Sequence, residues 1–153
     1  DFLATLEQLA HLPYLADVAR IDVAMRQSYH AADSSGIDPT LLQSLDEDSL
    51  LAARFGFAPS MILLRSQFSI GSIWHYSLRG GDKPSGHPED VVILRAEYDP
   101  EPFILGPGAG DVLHALQSGT PFGEAIELGG EDFDLAALLN LLLSQHAIIA
   151  VDH

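Results

Sequence analysis

Between Arg79 and Asp90 the chain carries three glycines and two prolines. Neither a helix interior nor a central strand tolerates that density, because proline removes a backbone donor and glycine raises the entropy cost of ordering. The stretch predicts a linking loop over residues 79–90, with a mainly helical part before it at 1–78 and a second part after it at 91–153.

The second part is the more orderly. Val91-Val92-Ile93-Leu94 and Pro102-Phe103-Ile104-Leu105 are short apolar runs joined through the turn-forming pair Asp99-Pro100, which predicts a hairpin. Gly106-Pro107-Gly108-Ala109-Gly110 superficially suggests a dinucleotide loop, but no βαβ pattern follows it, and it reads as a strand-to-helix turn. Three helical segments are expected next, Ala109 to Gln117, Pro121 to Glu127 and Phe133 to Gln145. Thr120 is placed to cap the second, with Pro121 at its first position, and Asp132 or Asp134 to cap the third. Leu135, Leu138, Leu139, Leu142 and Leu143 give that last helix a broad apolar face. Ile148-Ile149-Ala150-Val151 reads as a closing strand, so the second part has the element order of a winged-helix-like domain.

In the first part, Leu15, Val18, Ile21 or Asp22, Met25 and Tyr29 recur at three- and four-residue spacing, which predicts a helix over 12–32. Asp17 and Arg20, then Asp22 and Arg26, are spaced to pair along its surface. Asp38-Pro39 opens a short helix to Leu45, and Asp46 caps another from Glu47 to about Arg54. Met61-Ile62-Leu63-Leu64 fits a short buried strand, and Ser69 to Tyr76 fits either helix or strand. The fold class expected is α+β.

Charge narrows the function. Seven basic residues stand against 22 acidic ones, a net charge of −15, and residues 96–153 hold ten acids with no Lys or Arg. Phosphate contacts supply most non-specific nucleic-acid affinity and need several cations, so DNA is a poor partner for this surface. No apolar run reaches the ~18 residues of a membrane span. The absence of cysteine excludes disulfides, zinc–thiolate sites and thiol catalysis, and the reducing cytoplasm is the expected location. The chain opens on Asp1 and is read as starting within a longer protein.

Catalytic signatures are lacking. There is no phosphate-binding Gly-Lys-Ser/Thr, no His-Glu-x-x-His and no Gly-x-Ser-x-Gly nucleophile elbow. The seven histidines form no tight pair, and Asp111 with His114 shares a helical face more simply read as surface than as a metal site. Trp74 follows Ile70 and Ile73 and reads as core, with a ligand platform as the alternative. No catalytic residue, metal ligand or cofactor is assigned, and the chain is expected not to be an enzyme.

Leu12-Pro13-Tyr14-Leu15-Ala16-Asp17-Val18-Ala19-Arg20, Leu63-Leu64-Arg65-Ser66 and Ser72-Ile73-Trp74 together resemble a bacterial family labelled as a DNA-binding domain, whose better-understood members are the HvfC and BufC partner proteins. Departures are Asp22 in place of Glu and Phe68-Ser69 in place of Tyr-Pro. The resemblance implies a partner subunit for a multinuclear iron oxidase that modifies a ribosomally made precursor peptide, with the iron held by the oxidase. It implies a partner interface at Tyr14, Asp17, Arg20, Arg65 and Trp74. It also implies a peptide added as a strand beside a helix, with Phe103 and Leu105 on the edge strand and Leu138, Leu142 and Gln145 on the helix. Core packing is the alternative for the leucines, and a DNA-binding regulator is the alternative function.

Overall fold

A computed structural model of the chain describes residues 14–65 and 89–152, with side chains in the first segment from residue 19 onward. The described elements run α1 (Tyr14–His30), α2 (Thr40–Ser44), α3 (Glu47–Ala52), β1 (Arg54–Phe57), β2 (Ile62–Arg65), β3 (Asp90–Leu94), β4 (Glu101–Ile104), α4 (Ala109–Gln117), α5 (Phe122–Glu127), α6 (Leu135–Ser144) and β5 (Ile148–Asp152). The fold is α+β, with six helices and two small antiparallel sheets, β2-β3-β4 and β1-β5, among the described residues. No described helix is long and apolar enough to cross a membrane.

β3 organises the rest. Its four apolar residues, Val91 to Leu94, are all buried. Successive side chains on a strand face opposite sides, so this strand needs cover on both. Val91 and Ile93 pack with Ile21 and Ala24 of α1 and with Leu64 of β2. Val92 and Leu94 join a larger cluster with Val112, Leu113 and Leu116 of α4, Phe55 of β1 and Leu142 of α6. Each such aliphatic side chain taken out of water contributes ~1.5–3 kcal/mol.

Acid caps start α3 and α6 as the sequence predicts, whereas the cap position of α2 is Pro39 and not the expected Asp38. The Asp46 carboxylate accepts from Ser49 N at 2.7 Å, and Asp134, rather than Asp132, accepts from Ala137 N at 3.1 Å. Asp38 accepts from Thr40 N at 3.0 Å, which holds its carboxyl below the ordinary aspartate value. Thr120 does not cap α5: Pro121 itself occupies the cap position, without a side-chain bond. The stripe of α1 also differs from expectation at its end. Tyr29 is exposed, and the buried position is Ser28, whose hydroxyl donates to the Ser60 carbonyl at 2.7 Å.

Arg54 does not end a helix. α3 stops at Ala52, and Arg54–Phe57 is a strand paired antiparallel with β5. Gly56 lies within this strand opposite Ala150, whose side chain would stand 3.2 Å from a Cβ at position 56. β5 therefore pairs with β1 and not with the β3–β4 hairpin, while β2 pairs with β3. Each sheet takes strands from both sides of residues 66–88. The ambiguous element Ser69–Tyr76, Trp74, and most of the predicted loop lie outside the described residues.

Immediately after β3, Arg95 ties the two sides together. Its guanidinium donates to the Ser28, Tyr29, Ala31 and Ala32 carbonyls at 2.6–3.2 Å and to Asp33 Oδ1 at 3.1 Å. The Ser28 and Tyr29 carbonyls belong to the last turn of α1, where a helix leaves carbonyls short of partners, and Ala31 and Ala32 directly follow it; the Arg95 side chain is only 6% exposed. Arg95→Ala is expected to cost about 3 kcal/mol, since it removes five hydrogen bonds made by a side chain that is itself buried. Arg95→Lys should recover little, because a point-like ammonium cannot span the same carbonyls. Urea unfolding of both variants checks this.

α6 ends in a Schellman turn: Ala147 N donates to Leu142 O and His146 N to Leu143 O, with His146 at φ 58°. A left-handed residue other than glycine costs ~1–2 kcal/mol, partly offset by the flexibility glycine adds to the unfolded chain. His146→Gly is thus expected to raise stability by ~0.5–1 kcal/mol, read as a higher thermal midpoint.

Candidate functional site

The candidate site lies at the free edge of β4, where that strand runs into α4 and meets α6. In the register of β3 with β4, Ile104 faces Val91, Phe103 faces Val92 and Pro102 faces Ile93. Leu105 N donates to Asp90 O at 2.9 Å, so Leu105 and every second residue before it point their backbone groups inward to β3. Ile104 and Pro102 point theirs outward. Pro102 thereby occupies a position where its missing N–H breaks no ladder bond, and Ile104 N–H is the one outward donor in the strand. Among the described residues no strand pairs with this edge.

Beside the edge opens a cleft of about 130 Å³, lined by Ile104, Leu105 and Pro107 on one side and by Phe133, Ala137, Leu138 and Leu141 on the other, with Asp134 at its end. That volume is close to the ~150 Å³ of an engineered apolar cavity that holds a benzene ring. Its walls depend on two glycines. Gly108 has φ 74°, and a Cβ on it would strike the Gly129 carbonyl; a Cβ on Gly129 would in turn strike the Phe133 ring. The α5–α6 connection can therefore lie against the β4–α4 turn, which sets Phe133 over the cleft.

Of the residues assigned to peptide binding from the sequence, Leu105 and Leu138 line the cleft. Phe103 is partly buried and packs on the main core, and Leu142 is fully buried within it. Gln145 sits at the C-cap of α6, outside the cleft lining. Ile104, Phe133, Ala137 and Leu141 complete the wall and were not read from the sequence. The helical signal was available, because 134, 137, 138 and 141 share one face. The heavier leucine stripe through 135, 138, 139, 142 and 143 obscured it.

The residues assigned to a partner interface are distributed differently. Tyr14 and Asp17 lie in the first turns of α1, and Trp74 is outside the described residues. Arg20 and Arg65 do come together: Arg20 donates to the Arg65 carbonyl at 3.3 Å. The Arg65 side chain reaches Asp111 Oδ1 at 2.5 Å and Asp90 Oδ2 at 3.4 Å. The Asp111 hydrogen bond raises the arginine further above its ordinary value, so it is charged at any pH the fold survives. Gly110 makes room for this cluster, since a Cβ there would collide with the Asp90 carboxylate. Asp111 is thus a partner of Arg65, and no group of three His, Cys, Asp or Glu side chains among the described residues is placed to hold a metal ion.

Neither α6 nor strands β3 and β4 carry Lys or Arg, and Arg95, the first residue of the β3–β4 turn, has its side chain buried under the α1 carbonyls. The charged side chain in the cleft lining is Asp134, and Glu131 and Asp132 are exposed in the segment that leads to it.

No family model, curated protein or solved structure matches the chain.

Gly108→Ala is expected to destabilise by about 2–4 kcal/mol, combining left-handed strain with a backbone collision. Because the collision partner is the segment that positions Phe133, the loss should come with altered amide and methyl NMR signals at Phe133 and Leu105.

Proposed function

We propose that this chain is a non-catalytic recognition module, with a winged-helix-like second half. It captures an extended segment of a ribosomally made precursor peptide and offers it to a multinuclear iron oxidase. The iron and the oxidation belong to the enzyme; this chain holds the peptide, in the reducing cytoplasm. The observation that carries the reading is the adjacency of an unpaired strand edge and an apolar cleft sized for one large side chain. An added strand gains affinity from main-chain hydrogen bonds and selectivity from the side chain it buries.

Pro102 limits that ladder. An incoming strand finds the Ile104 N–H and C=O and the Pro102 carbonyl, but no donor from Pro102, so most of the selectivity falls to the cleft. The carboxylates around it favour a peptide with Lys or Arg flanking its apolar anchor. Arg20, which reaches the Arg65 carbonyl, and Arg65, whose side chain turns to Asp111 of α4, support an enzyme-facing surface at the end of β2 that shares no residue with the cleft lining.

The test is a titration of the chain with the precursor peptide, with the oxidase and with duplex DNA in parallel at ~150 mM salt. Saturable binding to peptide or enzyme and no DNA shift is expected. Salt-sensitive DNA binding without either partner would overturn the reading and make the chain a regulator. Two variants locate the site. Ile104→Pro removes the outward donor without cutting a bond to β3, and Ala137→Trp fills the cleft from an exposed position. Each is expected to weaken peptide binding at least tenfold while the circular dichroism spectrum stays that of the parent.

A further inference from the structure

A second groove lies away from the cleft, between α3 and α5. It has a volume of about 630 Å³ and is open along its length. These two helices approach closely because α5 has no side chain at Gly123, where a Cβ would lie 3.1 Å from Leu51 Cβ and 3.2 Å from the Leu51 carbonyl. Phe122 N donates to Ala53 O at 2.8 Å and fixes the start of α5 against the end of α3. The contact is made by backbone and glycine, so Leu51 is left 37% exposed in the groove rather than buried beneath it.

The floor is apolar, made by Leu51, Ala52, Pro121 and Ile126, and the apolar surface continues to Leu128, which is 56% exposed. Carboxylates stand on both sides: Asp48 from α3, and Glu124 with Glu127 one turn apart on α5. Arg54 is the single cation in the lining. Asp48, Glu124 and Glu127 are all exposed and form a rim to the groove, and no three His, Cys, Asp or Glu side chains among the described residues are placed to hold a metal ion.

We propose that this groove docks a cationic amphipathic segment of a protein partner, with leucine-like side chains on the floor and Lys or Arg against Asp48, Glu124 and Glu127. Charge chooses this occupant over the others. Nucleic acid and anionic lipid would meet the acidic rim with like charge, and so would a second copy of a chain whose net charge is −15. The groove uses none of the residues of the β4 cleft and does not depend on peptide capture there.

The experiment titrates the isotope-labelled chain by NMR with a designed amphipathic peptide of Leu and Lys, about 15 residues long so that a helix can form. A peptide of the same length and charge with Ser replacing Leu serves as comparison. Shifts centred on Leu51, Gly123, Glu124 and Ile126 are expected, with the serine peptide binding at least tenfold more weakly. The double variant Glu124→Lys with Glu127→Lys is expected to lose at least tenfold in affinity. Glu97→Lys with Asp99→Lys changes net charge equally at the exposed β3–β4 turn, and should stay within twofold of the parent. Equal loss in both double variants would mean diffuse attraction to an acidic protein and would overturn the proposal. Loss of probe binding in Ala137→Trp would also overturn it, by moving the probe to the β4 cleft. Retention there, with loss in the α5 variant, separates the groove from the cleft whichever way the peptide-capture test falls.

Discussion

Everything in this molecule is arranged around a strand that cannot be left with a wet face. Val91 to Leu94 supply four consecutive buried apolar side chains, so β3 must be covered by a helix on one side and by a helical layer on the other. α1 provides the first cover and α4 the second, and the strand order β2-β3-β4 follows because a central strand also needs both of its edges paired. Arg95 then turns coverage into attachment. Leaving the same strand, it takes up the carbonyls at the end of α1, so one side chain fixes the end of that helix to the end of the central strand. This is a buried cation satisfied almost wholly by neutral acceptors, with a single carboxylate at its outer end.

The candidate site inherits its geometry from that arrangement. β4 is pinned on its inner side by β3 and free on its outer side, and its exit into α4 passes through a left-handed glycine that lets the α5–α6 connection close in. The cleft is thus a by-product of how three connections meet. It is apolar because its walls are outlying parts of the core, and it is acidic at its margin because helix starts collect aspartates and glutamates. Proline at position 102 is compatible with only one arrangement, an edge strand with its nitrogen turned outward, so the residue that makes the edge tolerable also limits what can add to it.

Much of this was legible in the sequence where local chemistry dominates. The hairpin, the bounds of α4, the capping roles of Asp46 and Asp134, and the closing strand all follow from turn residues and apolar periodicity, which act over a few residues. What escaped was non-local. Arg54 reads as the end of a helix, and no strand is read over 55–57, because that strand depends on β5, most of the chain away, and on the small Ala150 opposite Gly56. Ser28 reads as polar surface because its acceptor, the Ser60 carbonyl, is unknown until the chain is folded. Arg65 and Asp111 gave no sign of each other, being 46 residues apart. The cleft was half visible: Leu105 and Leu138 could be chosen from the strand-beside-helix idea, but the wall formed by Ala137 and Leu141 required knowing how α6 is rotated.

The pairing of β1 with β5 joins the end of the first half to the last described strand. Synthesis proceeds from the amino terminus, so β1 leaves the ribosome long before its partner exists, and for that interval Phe55 and Phe57 belong to an unfinished edge. Closure of so long a loop makes this pairing topologically slow, and it cannot begin before β5 has been made. The time between emergence and closure is when this protein is most exposed to chaperones and to off-pathway pairing, and its length is governed by the whole second half rather than by the strength of any contact within it.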